Sequence, residues 1–218
     1  MTMLSALARL GDLTSWQWGM FTTAQAGQAG VTHMELSRLD TAGLITRIKP
    51  RVYRLTGSPE PEFEDLRAAW LAADPRTPAY DRFTHLADGI TVAGYAALRL
   101  HGDYYLPLPH FDFVSPRRLQ TRNTAVRFRR RQLSDHEITV VEELPVMTLE
   151  RAIADVLTLV GDRSIMREVI DQARERGPLD DTALRTHLDA LTGYELGRDI
   201  DRELLAADLG IDHYSRAA

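Results

Sequence analysis

Three places in the chain set a histidine near a carboxylate: His101-Gly102-Asp103, His110-x-Asp112 and Ser134-Asp135-His136. Such pairs can orient an imidazole for proton transfer or share a metal ion, but a metal site needs further ligands at set spacings, as in H-E-x-x-H, and none is found. Ser134-Asp135-His136 reads as the cap of a turn, and His101 before Gly102 as the end of a helix. The phosphate loop G-x-x-x-x-G-K-[ST], the dinucleotide motif G-x-G-x-x-G and the nucleophile elbow G-x-S-x-G are all missing. Zero cysteines exclude disulfides, thiol catalysis and zinc–thiolate sites. Lys49 is the only lysine, so the carboxylate–lysine set of restriction-type nucleases has no lysine to draw on in the later part of the chain. No enzyme, cofactor or metal is expected.

The basic residues carry more. Residues 1–57 hold six basic and three acidic side chains, residues 117–131 hold seven arginines and no acid, and residues 132–218 carry a net −10, although the whole chain is only −5. An overall pI near 5.8 therefore hides two cationic stretches. In the first, Arg47, Lys49, Arg51 and Arg54 crowd one short segment and suit contact with phosphates. In the second, a strand over 125–131 would put Arg127, Arg129 and Arg131 on one face and Arg130 on the other, with Arg117, Arg118 and Arg122 just before it. An edge strand guarded by charge fits this pattern, but seven arginines repel one another unless an anion is near, and a phosphate backbone or the acidic C-terminal helices of the same or another chain are the candidates; a nucleic-acid surface is the favoured reading.

The elements that would position these groups are legible from Phe21 to Leu55. Thr22 with Gln25, and Thr32 with Glu35, are capping boxes opening two short helices. Gly30 separates the helices and Gly43 ends the second. Leu44 to Leu55, broken at Lys49-Pro50-Arg51, reads as two strands about a turn. Helix, turn, helix, hairpin is the layout of a winged helix-turn-helix, whose second helix enters the DNA major groove. Val31, Leu36, Leu39 and Leu44 are expected inside. Thr32, His33, Ser37 and Arg38 are the base-reading candidates, and Arg47, Lys49, Arg51 and Arg54 the phosphate candidates. A protein-binding helix-turn-helix with a solvated basic loop fits the same spacing.

Upstream, residues 4–12 form a helix with Leu4, Leu7 and Leu10 inward, and Trp16 and Trp18 pack beneath the winged helix. Thr56 to Pro61 is polar and proline-rich and is read as a domain boundary, giving a DNA-binding domain over 1–57 and an α+β domain over 62–218. The second domain opens with a helix to Ala73, continues with a buried helix over 91–100 and strands near 111–114, 125–128 and 138–141, and closes with helices near 149–159, 163–176, 180–191 and 198–209. Hydrophobic content of 44% with 26% charged residues describes a globular protein. No apolar run approaches the ~18 residues of a membrane span, and the N-terminus has no signal-peptide pattern, so a cytoplasmic protein is expected.

The ordered motifs resemble a known family. F-T-x-A-Q-A-x-x-A-G-V from Phe21 and R-V-Y-R-L to Leu55, then Ala96 to Gly102 (AALRLHG), Phe111 to Ser115 with Pro116, and Leu144 to Asp155 (LPVMTLERAIAD), are similar to segments of AbiEi-type antitoxins. The resemblance spans about residues 15–160. One departure from it is Lys49-Pro50-Arg51, where a glycine often sits in the wing turn. It implies an antitoxin that binds inverted repeats in its own promoter, represses its operon and neutralises a toxin of nucleotidyltransferase fold, by direct contact or otherwise. A ligand-responsive winged-helix regulator without a toxin, or an enzyme that modifies the toxin, are the alternatives.

Overall fold

Ala6, Leu10 and Thr14, at i, i+4 and i+8, are buried along the first helix, α1 (Met3–Thr14). The stripe is rotated from the expected one: Leu4 is 81% exposed and Leu7 only packs at the edge of the core. This is seen in a computed structural model that describes residues 3–102, 104, 109–160, 162–191 and 202–211. The chain divides into two units, Met1–Ile90 and Thr91–Ala218.

In unit 1, α1 leads to β1 (Met20–Thr22), α2 (Thr23–Gln28), α3 (His33–Thr41) and the hairpin β2 (Ile45–Lys49) and β3 (Val52–Leu55). The sheet is antiparallel in the order β1-β3-β2, with Phe21 opposite Tyr53 and Arg47 opposite Tyr53 from the other side. Both expected capping boxes are formed. Each helix then ends in the same way. Val31 N–H donates to Ala26 O and Gly30 N–H to Gly27 O after α2; Leu44 N–H donates to Leu39 O and Gly43 N–H to Asp40 O after α3. Both glycines have positive φ, the left-handed position these terminal turns require. Val31, Leu36 and Leu39 are buried as expected, but Leu44 is at the surface, because the turn at Gly43 hands the inward place to Ile45.

The junction between the units lies at Ile90, not at 57–62. Thr56 to Pro61 is a turn, yet the helix beyond it, α4 (Glu64–Ala73), packs on the winged-helix sheet and buries Trp70 completely. Trp70 Nε1 donates to Ile90 O at 2.8 Å, and its ring meets Trp18 edge-on at 6.1 Å. The buried pair Gln17 and Gln25 ties the next stretch down: Ala79 N–H donates to Gln17 Oε1, and Gln25 Nε2 to Thr77 O. Arg82, also buried, donates to the carbonyls of Trp70, Leu71, Asp74 and Thr77. Burial lowers its pKa to about 10, which leaves it cationic at neutral pH. Residues 76–89 thus hold two short 3₁₀ turns, Tyr80–Phe83 and Leu86–Asp88, fixed by side-chain hydrogen bonds that no periodicity announces. Trp18 packs as expected, with the Arg67 guanidinium 4.7 Å from its ring centre; Trp16 does not, and is 78% exposed.

Unit 2 contains β4 (Thr91–Ala93), α5 (Gly94–His101), β5 (Phe111–Ser115), β6 (Val126–Arg130), β7 (Ile138–Val141), β8 (Leu144–Met147), α6 (Leu149–Val160), α7 (Arg163–Arg176), α8 (Asp181–Ala190) and α9 (Arg202–Asp208). Its sheet runs β6-β5-β4-β8-β7, with β4–β8 and β5–β6 parallel and the other two pairs antiparallel. The expected helix over 91–100 begins instead as a strand. Gly94, at φ +57, breaks the segment, and a Cβ there would lie 2.8 Å from Asp112 Oδ2. Strand β8 replaces an expected lead-in to a helix. Its hairpin turns on Glu142 and Glu143, both at positive φ, without the glycine or asparagine that marks such turns in a sequence. The beginning of the helix expected over 198–209 lies outside the described residues, as do Asp103 and Gly193. The α+β class stands: a winged helix followed by a five-stranded sheet with terminal helices.

Candidate nucleic-acid interface

α3 presents its polar face because its apolar residues fall at Leu36 and Leu39, leaving His33, Met34, Ser37, Arg38 and Thr41 outward. Thr32 is committed to the cap. Its hydroxyl accepts from Glu35 N–H at 3.3 Å and donates to Glu35 Oε2 at 2.9 Å, so the group expected to read a base is already engaged. The Thr32 backbone N–H, which donates to Glu35 Oε2 at 2.8 Å, and then the Thr32 hydroxyl hold the Glu35 carboxyl below its ordinary pKa. His33 and Ser37 are free at the surface. An Arg38 Nη2 lies 3.5 Å from Met34 Sδ, with no carboxylate ion pair. Met34, 64% exposed, is the member of this face that charge and hydrogen-bond arguments pass over; an apolar group there suits a thymine methyl.

The wing separates into two kinds of basic residue. Arg47 and Arg51 are exposed and have no ion pair. Arg51 occupies the left-handed position of the turn at φ +68, where the resembling family often has glycine. Lys49 pairs with Asp65 at 2.6 Å. Arg54 is 12% exposed, with Nε 2.6 Å from Glu64 Oε1 and Nη1 donating to Ser58 O at 2.7 Å, so it fastens β3 to the first turn of α4 and is not presented to a ligand.

The second arginine cluster is split by its strand. Asp112 on β5 and Asp155 on α6 are both fully buried. Arg127 Nε donates to Asp112 Oδ1, and Arg129 grips Asp155 with two nitrogens while its Nε lies 3.8 Å from Asp112. Asp155 Oδ2 also accepts from Gly94 N–H at 3.1 Å. Arg127 and Arg129 are therefore structural counter-ions, which corrects their assignment to a nucleic-acid surface. Arg131 is half-buried, its N–H donating to Ser115 O. Arg117, Arg118, Arg122 and Arg130 remain exposed, Arg130 Nε donating to Pro116 O at 3.2 Å on the edge strand.

The histidine–carboxylate pairs build no reaction centre among the described residues. His101 Nε2 is 2.7 Å from Met147 O, and burial lowers its pKa. Ser134 caps a 3₁₀ turn with Glu137. His110 Nε2 stands 3.5 Å from Asp112 Oδ2, beside the structural arginines. No group of three or more His, Cys, Asp or Glu side chains among the described residues is placed to hold a metal, and no described helix is long and apolar enough to cross a membrane.

The two capped helices, their glycine turns and the wing define unit 1 as a winged helix-turn-helix domain. Residues 9–56 match the family described as transcriptional regulator, AbiEi antitoxin, so the resemblance read from the motifs is shown over this segment. The crystal structure of RV2827C protein from Mycobacterium tuberculosis is similar across 96% of this chain and 82% of that one, with a TM-score of 0.53 and 16% identity, a likeness of fold. No curated protein matches the chain.

Proposed function

We propose that the protein is a DNA-binding antitoxin that represses its own operon, with α3 in the major groove of promoter DNA and the wing on the flanking phosphates. The observation that supports this best is a coincidence of place: the segment matching a family of transcriptional regulators is the one whose exposed face carries His33, Met34, Ser37 and Arg38 beside Arg47 and Arg51, with no acid paired to any of them. Base edges would be read by His33, Ser37 and Arg38, and phosphates held by Arg47, Arg51 and Lys49. Arg117, Arg118 and Arg130 of unit 2 supply a second cationic surface suited to backbone contact. The operator would contain inverted repeats. The toxin would be a nucleotidyltransferase-like protein, and the net −10 of residues 132–218 suits a basic face on it.

A titration against the protein's own upstream DNA, with scrambled competitor and at two salt concentrations, tests the first half. Competitor-resistant binding that weakens steeply with salt is expected; equal affinity for scrambled DNA overturns it. Pull-down of the co-encoded toxin with and without residues 160–218 tests the second. Retention by the full chain alone is expected, and unchanged capture after the deletion refutes a role for the acidic helices.

A further inference from the structure

The geometry points to Asp65 as a residue that sets the strength and salt dependence of DNA binding: in the free protein it holds Lys49 of the wing in place of a DNA phosphate, and it must be displaced when the wing meets a duplex. This inference rests on the reading of unit 1 as a DNA-binding domain and deepens it. Lys49 Nζ lies 2.6 Å from Asp65 Oδ1, and the Asp65 side chain is 66% exposed. An ion pair so open to water is held weakly and exchanges its partners. The neighbouring pair differs. Arg54 is shielded, bound to Glu64 and also to Ser58 O, and stays in place. Both acids belong to the first turn of α4, where the helix dipole favours negative charge. Glu64 alone would serve that end and anchor β3; Asp65, one residue on, reaches the one basic residue of the wing that is both accessible and paired.

The consequence is electrostatic. A phosphate that takes Lys49 leaves the Asp65 carboxylate bare, and that carboxylate recruits a cation from solution. One fewer counterion is then released on binding, for any sequence. Asp65 thus lowers the affinity for all DNA alike and leaves discrimination to α3, which makes it a positioning residue acting through Lys49.

The test is a double-mutant cycle with Asp65→Asn, Lys49→Ala and both together, read as binding to upstream and scrambled DNA across a salt series. Asp65→Asn should tighten binding to both DNAs about two- to fivefold at low salt and steepen the salt slope by about 0.9. The gain should vanish in the Lys49→Ala background. Asp65→Ser, which also removes the charge, should repeat the result, and thermal melting should show each variant folded. An unchanged affinity and slope in Asp65→Asn, with specific binding by the parent, overturns this inference and leaves the DNA reading intact. A gain that persists in the Lys49→Ala background overturns it too, since it would reflect the general field of one acid. If neither parent nor variant binds DNA, the reading of unit 1 falls and this inference with it.

Discussion

The wing of unit 1 and strand β6 of unit 2 are both arginine-rich hairpin or strand segments, and they spend their charge in opposite ways. Around the wing, the acids sit on the surface at the start of α4, and Arg47 and Arg51 are left unpaired. Around β6, two aspartates lie in the interior, and the arginines on that face turn in to meet them. A run of arginines is therefore no measure of a binding surface. What matters is where the carboxylates are, because a buried acid recruits a cation far more strongly than solvent-exposed acids can.

The largest effect that would break this contrast lies in unit 2. Asp155→Ala removes the two-nitrogen partner of the Arg129 guanidinium and the acceptor of Gly94 N–H, and is expected to destabilise that unit by about 3–5 kcal/mol, read by chemical denaturation. Arg47→Ala should leave stability within about 0.5 kcal/mol; equal losses would mean that the two regions are not different in kind. Next, Arg38→Ala should relax sequence preference by about 1–3 kcal/mol, while Arg47→Ala and Arg51→Ala weaken all sequences and each flatten the salt slope by about 1. Arg129→Ala tested in the same assay, at a temperature where it is folded, should keep the parent's slope.

Acid should also tell the units apart. His101 is half-buried with its pKa lowered by desolvation, so the unfolded chain takes up a proton near pH 6.5 that the folded protein resists. Stability from this group is intact above pH 6.5 and is lost as pH falls toward the depressed folded value. His187 of α8, lowered by burial in spite of Glu137 and Glu150, adds to the same trend. Melting temperatures from pH 8 down to 5 should fall for the parent and fall less for His101→Gln. The smallest effect is Arg51→Gly. Relief of left-handed strain and the greater unfolded freedom of glycine nearly offset, for a change below about 1 kcal/mol, while DNA binding loses one phosphate contact.

Much of unit 1 was legible because its signals are local. Capping boxes, terminal glycines and a Lys-Pro-Arg turn each act within a few residues of chain. The extent of the unit was not, since Trp70 and Gln25 reach their partners across 20 and 52 residues, and Arg82 gathers four carbonyls from the turns before it, and no spacing rule reports either. Strand β4 was hidden inside an apolar run, and β8 behind a turn made of two glutamates. The inward arginines did leave a trace. Phe111-Asp112-Phe113-Val114 places an acid in an otherwise apolar strand, and Asp155 interrupts the apolar stripe of α6; two interior acids call for two cations, and β6 supplies them. For the face of α3, the pattern located the surface, and its capping box already committed Thr32 to Glu35, but it could not show that Lys49 and Arg54 are already paired.

The packing of Trp18 against Trp70, with Trp16 facing solvent, has a spectroscopic meaning. The chain's three tryptophans all belong to unit 1. Trp70 is buried and Trp18 half-buried, each with a guanidinium group over its ring, and Trp16 is bathed in water. Their emission is consequently a private optical channel for the winged helix: its wavelength shift on denaturation follows unit 1 alone, while far-ultraviolet dichroism sums both units. Two such curves from one cuvette would resolve the separate unfolding of the two halves without a label being attached.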